Sequence, residues 1–229
     1  MMAAFPRFRA VADQAVLVEF GDVIHSESHA KVLSLDAKLA QFPFAGFTEA
    51  VPAYVSLLVA FDAMVTDHGS VELVLQALIS APDLPVKQGI LREIEVCYDI
   101  DLAPDLAEVA RQTGLSPEIV ITTHLAQTYH VVMYGFAPGY AYLGGLAASL
   151  HVPRKLSARR NVPAGSVIIA GAQCLVTTLT MPTGWWIIGR SPTRILQDDP
   201  TRPFLFDVGD TVRFKPILRT AFDMKSAAT

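Results

Sequence analysis

From Asn161 to Gly189 the chain carries no charged residue. An apolar run of that length meets the first condition for a membrane-spanning helix. The residues within it point elsewhere. Pro163, Gly165, Gly171, Pro182 and Gly184 interrupt the run, and Gln173, Thr177, Thr178, Thr180 and Thr183 add polar, largely β-branched side chains. A helix in lipid must satisfy its backbone within the segment, which breakers at this density prevent. β-branched residues punctuated by glycine and proline instead predict short strands joined by turns.

The rest of the sequence supplies enough apolar material for a core. Its 229 residues, 52% apolar and 17% charged, predict one large domain or two small ones, not a disordered tail. A formal charge of -4 and a pI near 5.8 leave no basic stripe for a phosphate backbone, so nucleic-acid binding is not expected. Cys97 and Cys174 are far apart and form no CxxC pair. They read as buried thiols of a reducing, cytoplasmic compartment, and no metal site is expected. The opening "MMAAFPRFRAVADQ" has arginines but no apolar run of signal-peptide length. Neither export nor membrane association is expected.

Periodicity divides the chain in two. In the first half "RFRAVADQAVLVEFG" reads as a strand. "SESHAKVLSLDAKLAQF" follows as a helix, with Ser26 as its cap and a stripe of Val32, Leu35, Leu39 and Phe42. "TEAVPAYVSLLVAFD" reads as a second strand and "SVELVLQALIS" as a second helix. Periodicity then stops across Ser80 to Gly89, where two prolines and a glycine place a domain boundary. Beyond it come a strand in "GILREIEVCYD", short helices in "APDLAEVARQTG" and "SPEIVITTHLAQ", and then almost only strands and turns. The expected fold class is α+β, with a small N-terminal α/β sandwich over residues 1–84 and a closed β-barrel or sandwich over 85–229.

Common nucleotide motifs are missing: no Walker A loop and no GxGxxG after a strand. "HSESH" sets His25 and His29 four apart, yet it lacks the glutamate placement of HExxH and reads as a solvated first turn. A denser constellation runs from His124 through "GFAPGYAYLGGL" to "PRKLSARRNVPAGSVIIAGAQ". Glycine lets backbone approach a ligand, aromatics form a wall, and arginine grips a carboxylate or phosphate through parallel hydrogen bonds. The same residues could equally be barrel corners and core filling, and Trp185 and Trp186 read as packing residues.

The blocks "YGFAPGYAYLGGL", "VPAGSVIIAGAQ", "GWWIIGRSP" and "FDVGDTVRF", with "ADQAVLVEFG" and "VPAYVSLLVAFD" in the first half, resemble the KipI family, also called allophanate hydrolase subunit 1 or the 5-oxoprolinase B subunit. The resemblance spans about Phe8 to Phe214. It implies that the barrel is cyclophilin-like and that the chain is one subunit of a heteromeric hydrolase that opens the lactam of 5-oxoproline with ATP, and with Mg, to give glutamate. The implied partners are a carboxyltransferase-like subunit (of the allophanate hydrolase subunit 2 or 5-oxoprolinase C type) and a LamB/YcsF-type subunit. A second implied reading is a binding module that inhibits a sensor histidine kinase; a third is a subunit of a related allophanate or urea amidohydrolase.

An unstrained lactam is a poor electrophile, so phosphorylating its carbonyl oxygen creates a leaving group, and the site must neutralise carboxylate and phosphoryl charge. On this reading His124 transfers a proton or stabilises an oxyanion, and Arg154 and Arg159 hold anions. Gly135, Phe136, Pro138, Gly139 and Tyr140 shape the cleft, with Gln173 and Arg190 at matching family positions. The sequence departs from the family pattern at Ala158, Cys174, Leu175 and Thr183, which bears on substrate identity more than on fold.

Overall fold

The computed structural model describes residues 5–84 and 89–227. The chain separates into two compact units, Met1–Gln88 and Gly89–Thr229. The expected 84/85 boundary abuts residues 85–88, which lie outside the described residues.

In the first unit an antiparallel sheet in the order β1-β2-β4-β3 is built from β1 (Arg7–Val11), β2 (Ala15–Glu19), β3 (Phe47–Pro52) and β4 (Ser56–Phe61). Each segment expected to be one strand is therefore a hairpin. Ala12 takes a left-handed φ of 48° and turns the first, and residues 53–55 turn the second. Asp13 and Pro52 are the sole turn formers at these two places, and single residues inside long apolar stretches are easily overridden. Strand periodicity holds within each arm, since Val16 and Val18 on β2 and Leu57, Val59 and Phe61 on β4 are all buried. Helices α1 (Ser26–Gln41) and α2 (His68–Ser80) supply Val32, Leu35, Leu39, Val71 and Leu75 to that core. Phe42 lies past the end of α1 and is exposed. The α1 cap is His25, whose Nδ1 accepts from the Glu27 N–H at 3.3 Å; Ser26 is the first helical residue. Buried Lys38 donates to the Leu78 and Ala81 carbonyls and pairs with Asp83, so its ammonium clamps the end of α2.

The second unit contains β5 (Leu91–Val96), α3 (Leu106–Thr113), α4 (Pro117–Leu125), β6 (Tyr129–Tyr134), β7 (Ala141–Gly144), β8 (Arg159–Val162), β9 (Ser166–Ala170), β10 (Gln173–Val176), β11 (Met181–Thr183), β12 (Trp186–Arg190), β13 (Thr211–Pro216) and α5 (Arg219–Ala227). Seven strands form one sheet in the order β12-β9-β10-β7-β6-β13-β5, and β8 and β11 pair separately. Cys97, just past β5, exchanges backbone hydrogen bonds of 2.8 and 2.9 Å with Arg190 at the end of β12. That bridge joins the two edge strands and makes the sheet a nearly closed barrel.

The uncharged run now has an explanation. All five residues of β9 are buried. Val167 and Ile169 face a core shared with Ile94, Val109, Val120 and Leu143, whereas Ile168 and Ala170 belong to a second cluster with Val162, Leu175, Trp185 and Ile187. A strand covered on both faces reads as a continuous apolar segment. Among the described residues no helix is long and apolar enough to cross a membrane.

Candidate functional site

The β6–β7 turn, Gly135 to Tyr140, is tightly made. The Gly135 N–H donates to the Tyr140 carbonyl at 3.2 Å, and the Tyr140 N–H donates to the Ala137 carbonyl at 3.1 Å. Gly139 has a φ of 69°, and a Cβ there would stand 2.8 Å from Leu196 Cδ2, so glycine is required on both counts. The Pro138 carbonyl accepts from the Thr178 hydroxyl at 2.8 Å, fixing the turn to the segment after β10. Phe136 is the anomaly. Its φ is 71° and it is 75% exposed, so a bulky side chain sits in strained backbone with little packing to compensate. Strain of that kind concentrates at functional sites.

Phe136 forms the rim of a cleft of about 130 Å³ lined by Tyr140, Tyr142, Arg154, Thr183 and Trp185. The rings of Phe136 and Tyr140 lie 5.5 Å apart and those of Tyr142 and Trp185 5.9 Å apart. Trp185 is 6% exposed and forms part of the wall, with the Arg154 guanidinium 5.7 Å from its ring centroid. Among the described residues Arg154 has no acidic partner, so its charge is available to a ligand. Burial pushes the Tyr140 phenol up to about 12, leaving it a neutral hydrogen-bonding group. Leu175 lies in the cluster beneath this wall.

The loop carrying Arg154 is anchored by Asp105, a residue no motif marks. Asp105 is 9% exposed and accepts from the Ile187 N–H at 2.8 Å and from Lys155 Nζ, with Arg159 Nη1 3.8 Å away. Lys155 also lies 5.0 Å from the Trp186 ring, and Trp186 Nε1 donates to the Pro153 carbonyl at 2.6 Å. Asp105 stands at the N-cap position of α3, yet its side chain makes no capping bond. Its hydrogen-bond partners, Lys155 and the Ile187 N–H, are 50 and 82 positions away, and local spacing carries no trace of them.

The remaining residues expected at the site do not converge on this cleft. His124 is fully buried on the inward side of α4, its ring 4.5 Å from Phe214 and 5.3 Å from Tyr129. Its Nδ1 is 2.8 Å from the Tyr98 hydroxyl and its Nε2 3.5 Å from Cys174 Sγ. Burial lowers its pKa to about 3, and pushes the Cys174 thiol and Tyr98 phenol up, so all three are neutral. His124 thus sits in an apolar core as a neutral link between a phenol and a thiol, out of contact with the cleft. Gln173 begins β10 opposite Ala170, and Arg159 is half exposed at the start of β8. Arg190 lines a different cleft. Among the described residues no group of three or more His, Cys, Asp or Glu side chains could hold a metal ion.

Residues 6–206 match the family model described as carboxyltransferase domain, subdomain C and D. The chain is 37% identical over 216 residues to the 5-oxoprolinase B subunit of Bacillus subtilis (strain 168), covering 89% of this chain and 90% of that protein. The crystal structure of TTHA0988 superposes with a TM-score of 0.77 at 34% identity over 90% of this chain, but this chain spans only 40% of that one. The urea amidolyase of K. lactis shares the fold alone, with a TM-score of 0.77 at 16% identity over 95% of this chain and 15% of that enzyme. The matched carboxyltransferase model and 37% identity to a 5-oxoprolinase B subunit over 89% of the chain leave one conclusion: the chain belongs to the family of 5-oxoprolinase B subunits.

Proposed function

We propose that this chain is the B subunit of a 5-oxoprolinase and that the Phe136–Arg154–Trp185 cleft takes a small carboxylated ring. The observation that carries the reading is the strained, exposed Phe136 at the mouth of a cleft that holds one uncommitted guanidinium against an aromatic wall. Near full-length identity to the Bacillus subtilis protein supports the reaction class. Arg154 would hold the substrate carboxylate through parallel hydrogen bonds, and Tyr140, Tyr142 and Trp185 would exclude water from the ring. Asp105, through Lys155, positions the Arg154 loop. Gly135, Pro138 and Gly139 hold Phe136 over the mouth. His124 acts in this scheme through the barrel core, as a positioning residue without ligand contact.

The residues present do not fit ATP with Mg. The cleft offers one guanidinium and a single lining glycine, Gly184, too little to cradle a triphosphate, and among the described residues no group of three or more His, Cys, Asp or Glu side chains could hold Mg. We therefore place nucleotide binding on the partner subunits, a carboxyltransferase-like chain and a LamB/YcsF-type chain. A cytoplasmic setting, suggested by two buried free thiols, belongs to the same proposal. The reading as an inhibitor of a sensor histidine kinase draws on the exposed Phe136 and Leu156, which also suit partner docking.

The test is glutamate formation from 5-oxoproline and ATP by the three subunits together, with and without this chain. Activity that requires this chain, falls at least tenfold in Arg154→Gln and survives in Arg159→Gln supports the assignment. A bound, folded complex whose rate ignores Arg154→Gln overturns the cleft as substrate site. Kinase binding with no effect on glutamate formation overturns the oxoprolinase role.

A further inference from the structure

We propose that a second cleft, built around Arg190, is a binding site for the carboxylate of a small organic acid. It has a volume of about 270 Å³ and shares no lining residue with the aromatic cleft. Its floor is fixed by the barrel closure, because the Arg190 backbone makes the bridge to Cys97. Beside it the Gly165 N–H donates to the Thr177 carbonyl and the Ser191 N–H donates to the Gly165 carbonyl, each at 2.7 Å. Gly165 has a φ of 80°, and a Cβ there would lie 2.3 Å from the Ser191 carbonyl oxygen. This corner of the cleft is therefore rigid, because the Ser191 backbone packs directly against the bare Cα of Gly165.

The Arg190 side chain is oriented within it. Its Nε donates to the Ala164 carbonyl at 3.2 Å, and the guanidinium carbon lies 5.7 Å from the centroid of the Phe222 ring on α5. One edge and one face of the guanidinium are thus occupied, while no acidic side chain pairs with it among the described residues. Its two Nη groups remain as a planar fork, the geometry that matches a carboxylate bidentately.

Charge and wall chemistry narrow the ligand. No Asp or Glu lines the cleft. The other arginine there, Arg194, is engaged through both Nη groups by Asp198, so one positive charge is left uncommitted. That suits a singly charged anion. Ser191 Oγ accepts from the Thr193 N–H at 3.1 Å and keeps its own proton to donate. Ile195, Leu196 and Phe222 give the cleft an apolar side, which an organic acid can cover and inorganic phosphate cannot.

The proposal is tested by amide chemical-shift titration of the full chain with sodium acetate, L-5-oxoproline and inorganic phosphate. Acetate or 5-oxoproline is expected to move the Gly165, Ser191 and Thr193 amides. Arg190→Gln, which retains an N–H for the Ala164 carbonyl, should weaken that response at least tenfold, with Arg190→Lys intermediate. Arg154→Gln should leave it unchanged, which separates this site from the aromatic cleft. No response at those amides, a response to phosphate alone, or equal affinity in the Arg190 variants overturns the proposal. Should Arg190→Gln lose spectral dispersion, Arg190→Lys, which keeps the charge but not the fork, carries the test alone.

Discussion

Acid is expected to unfold the barrel through His124. The imidazole is fully buried, and burial lowers its pKa from 6.5 to about 3. In the unfolded chain it protonates near its ordinary value, so between those limits the unfolded state binds more protons than the native one. Stability is then complete above about pH 6.5 and is lost as pH falls toward about 3. At about 1.4 kcal/mol per pH unit, the loss attributable to this group is about 3 kcal/mol at pH 4.5. His124→Gln removes the titration while keeping a donor and an acceptor for Tyr98 and Cys174, at a cost of about 1–2 kcal/mol at neutral pH. Both tryptophans, Trp185 and Trp186, lie in the barrel unit, so their fluorescence during urea unfolding reports on it. Between pH 7.5 and 4.5 the wild-type midpoint should fall by about 1 M more than that of the variant. Carboxylates titrate in both proteins and cancel in the comparison. Parallel pH dependences would refute the reasoning, because a histidine that charges in place without penalty is not desolvated.

Three further outcomes are expected. Asp105→Ala strands the Lys155 ammonium and the Ile187 N–H, and should cost about 2–4 kcal/mol by urea unfolding. Gly165→Ala meets the Ser191 carbonyl at 2.3 Å in left-handed backbone and should cost about 3 kcal/mol or more, seen as a large fall in Tm. Phe136→Gly relieves the φ of 71° and should raise stability by about 0.5–1 kcal/mol while lowering glutamate formation by the assembled subunits. A loss of stability in that variant would show the ring to be a packing residue.

The strands of the barrel unit were legible because their signal is local. The uncharged Gly/Pro-punctuated run became β9 to β12, and glycine at 139 and 165 sits where backbone needs left-handed φ. The hairpins at 12–14 and 53–55 were hidden, because Asp13 and Pro52 are weak cues within long apolar stretches. Site residues divided the same way. Phe136, Tyr140 and Arg154 share a cleft because two neighbouring stretches carry them. His124 looked chemical in isolation, yet which side of α4 faces the core depends on Tyr129, Phe214 and Cys174, residues brought there by three different strands. Asp105 was invisible since its meaning rests on a contact 50 positions away.

The strand order has a consequence for how this unit forms. β13 is the last of the described strands, yet it lies between β6 and β5, parallel to β5 and antiparallel to β6. Ile90 and Asp210, which hydrogen-bond beside that pairing, are 120 positions apart. Until residues 211–216 leave the ribosome, β5 has no ladder partner among the described strands and the seam at Cys97 and Arg190 has no frame to close. Contacts of such sequence separation slow folding, and a nascent barrel lacking β13 leaves the facing edges of β6 and β5 unpaired. Synthesis order therefore makes the final strand the keystone, and a chain cut before Thr211 is expected to aggregate instead of forming a smaller barrel.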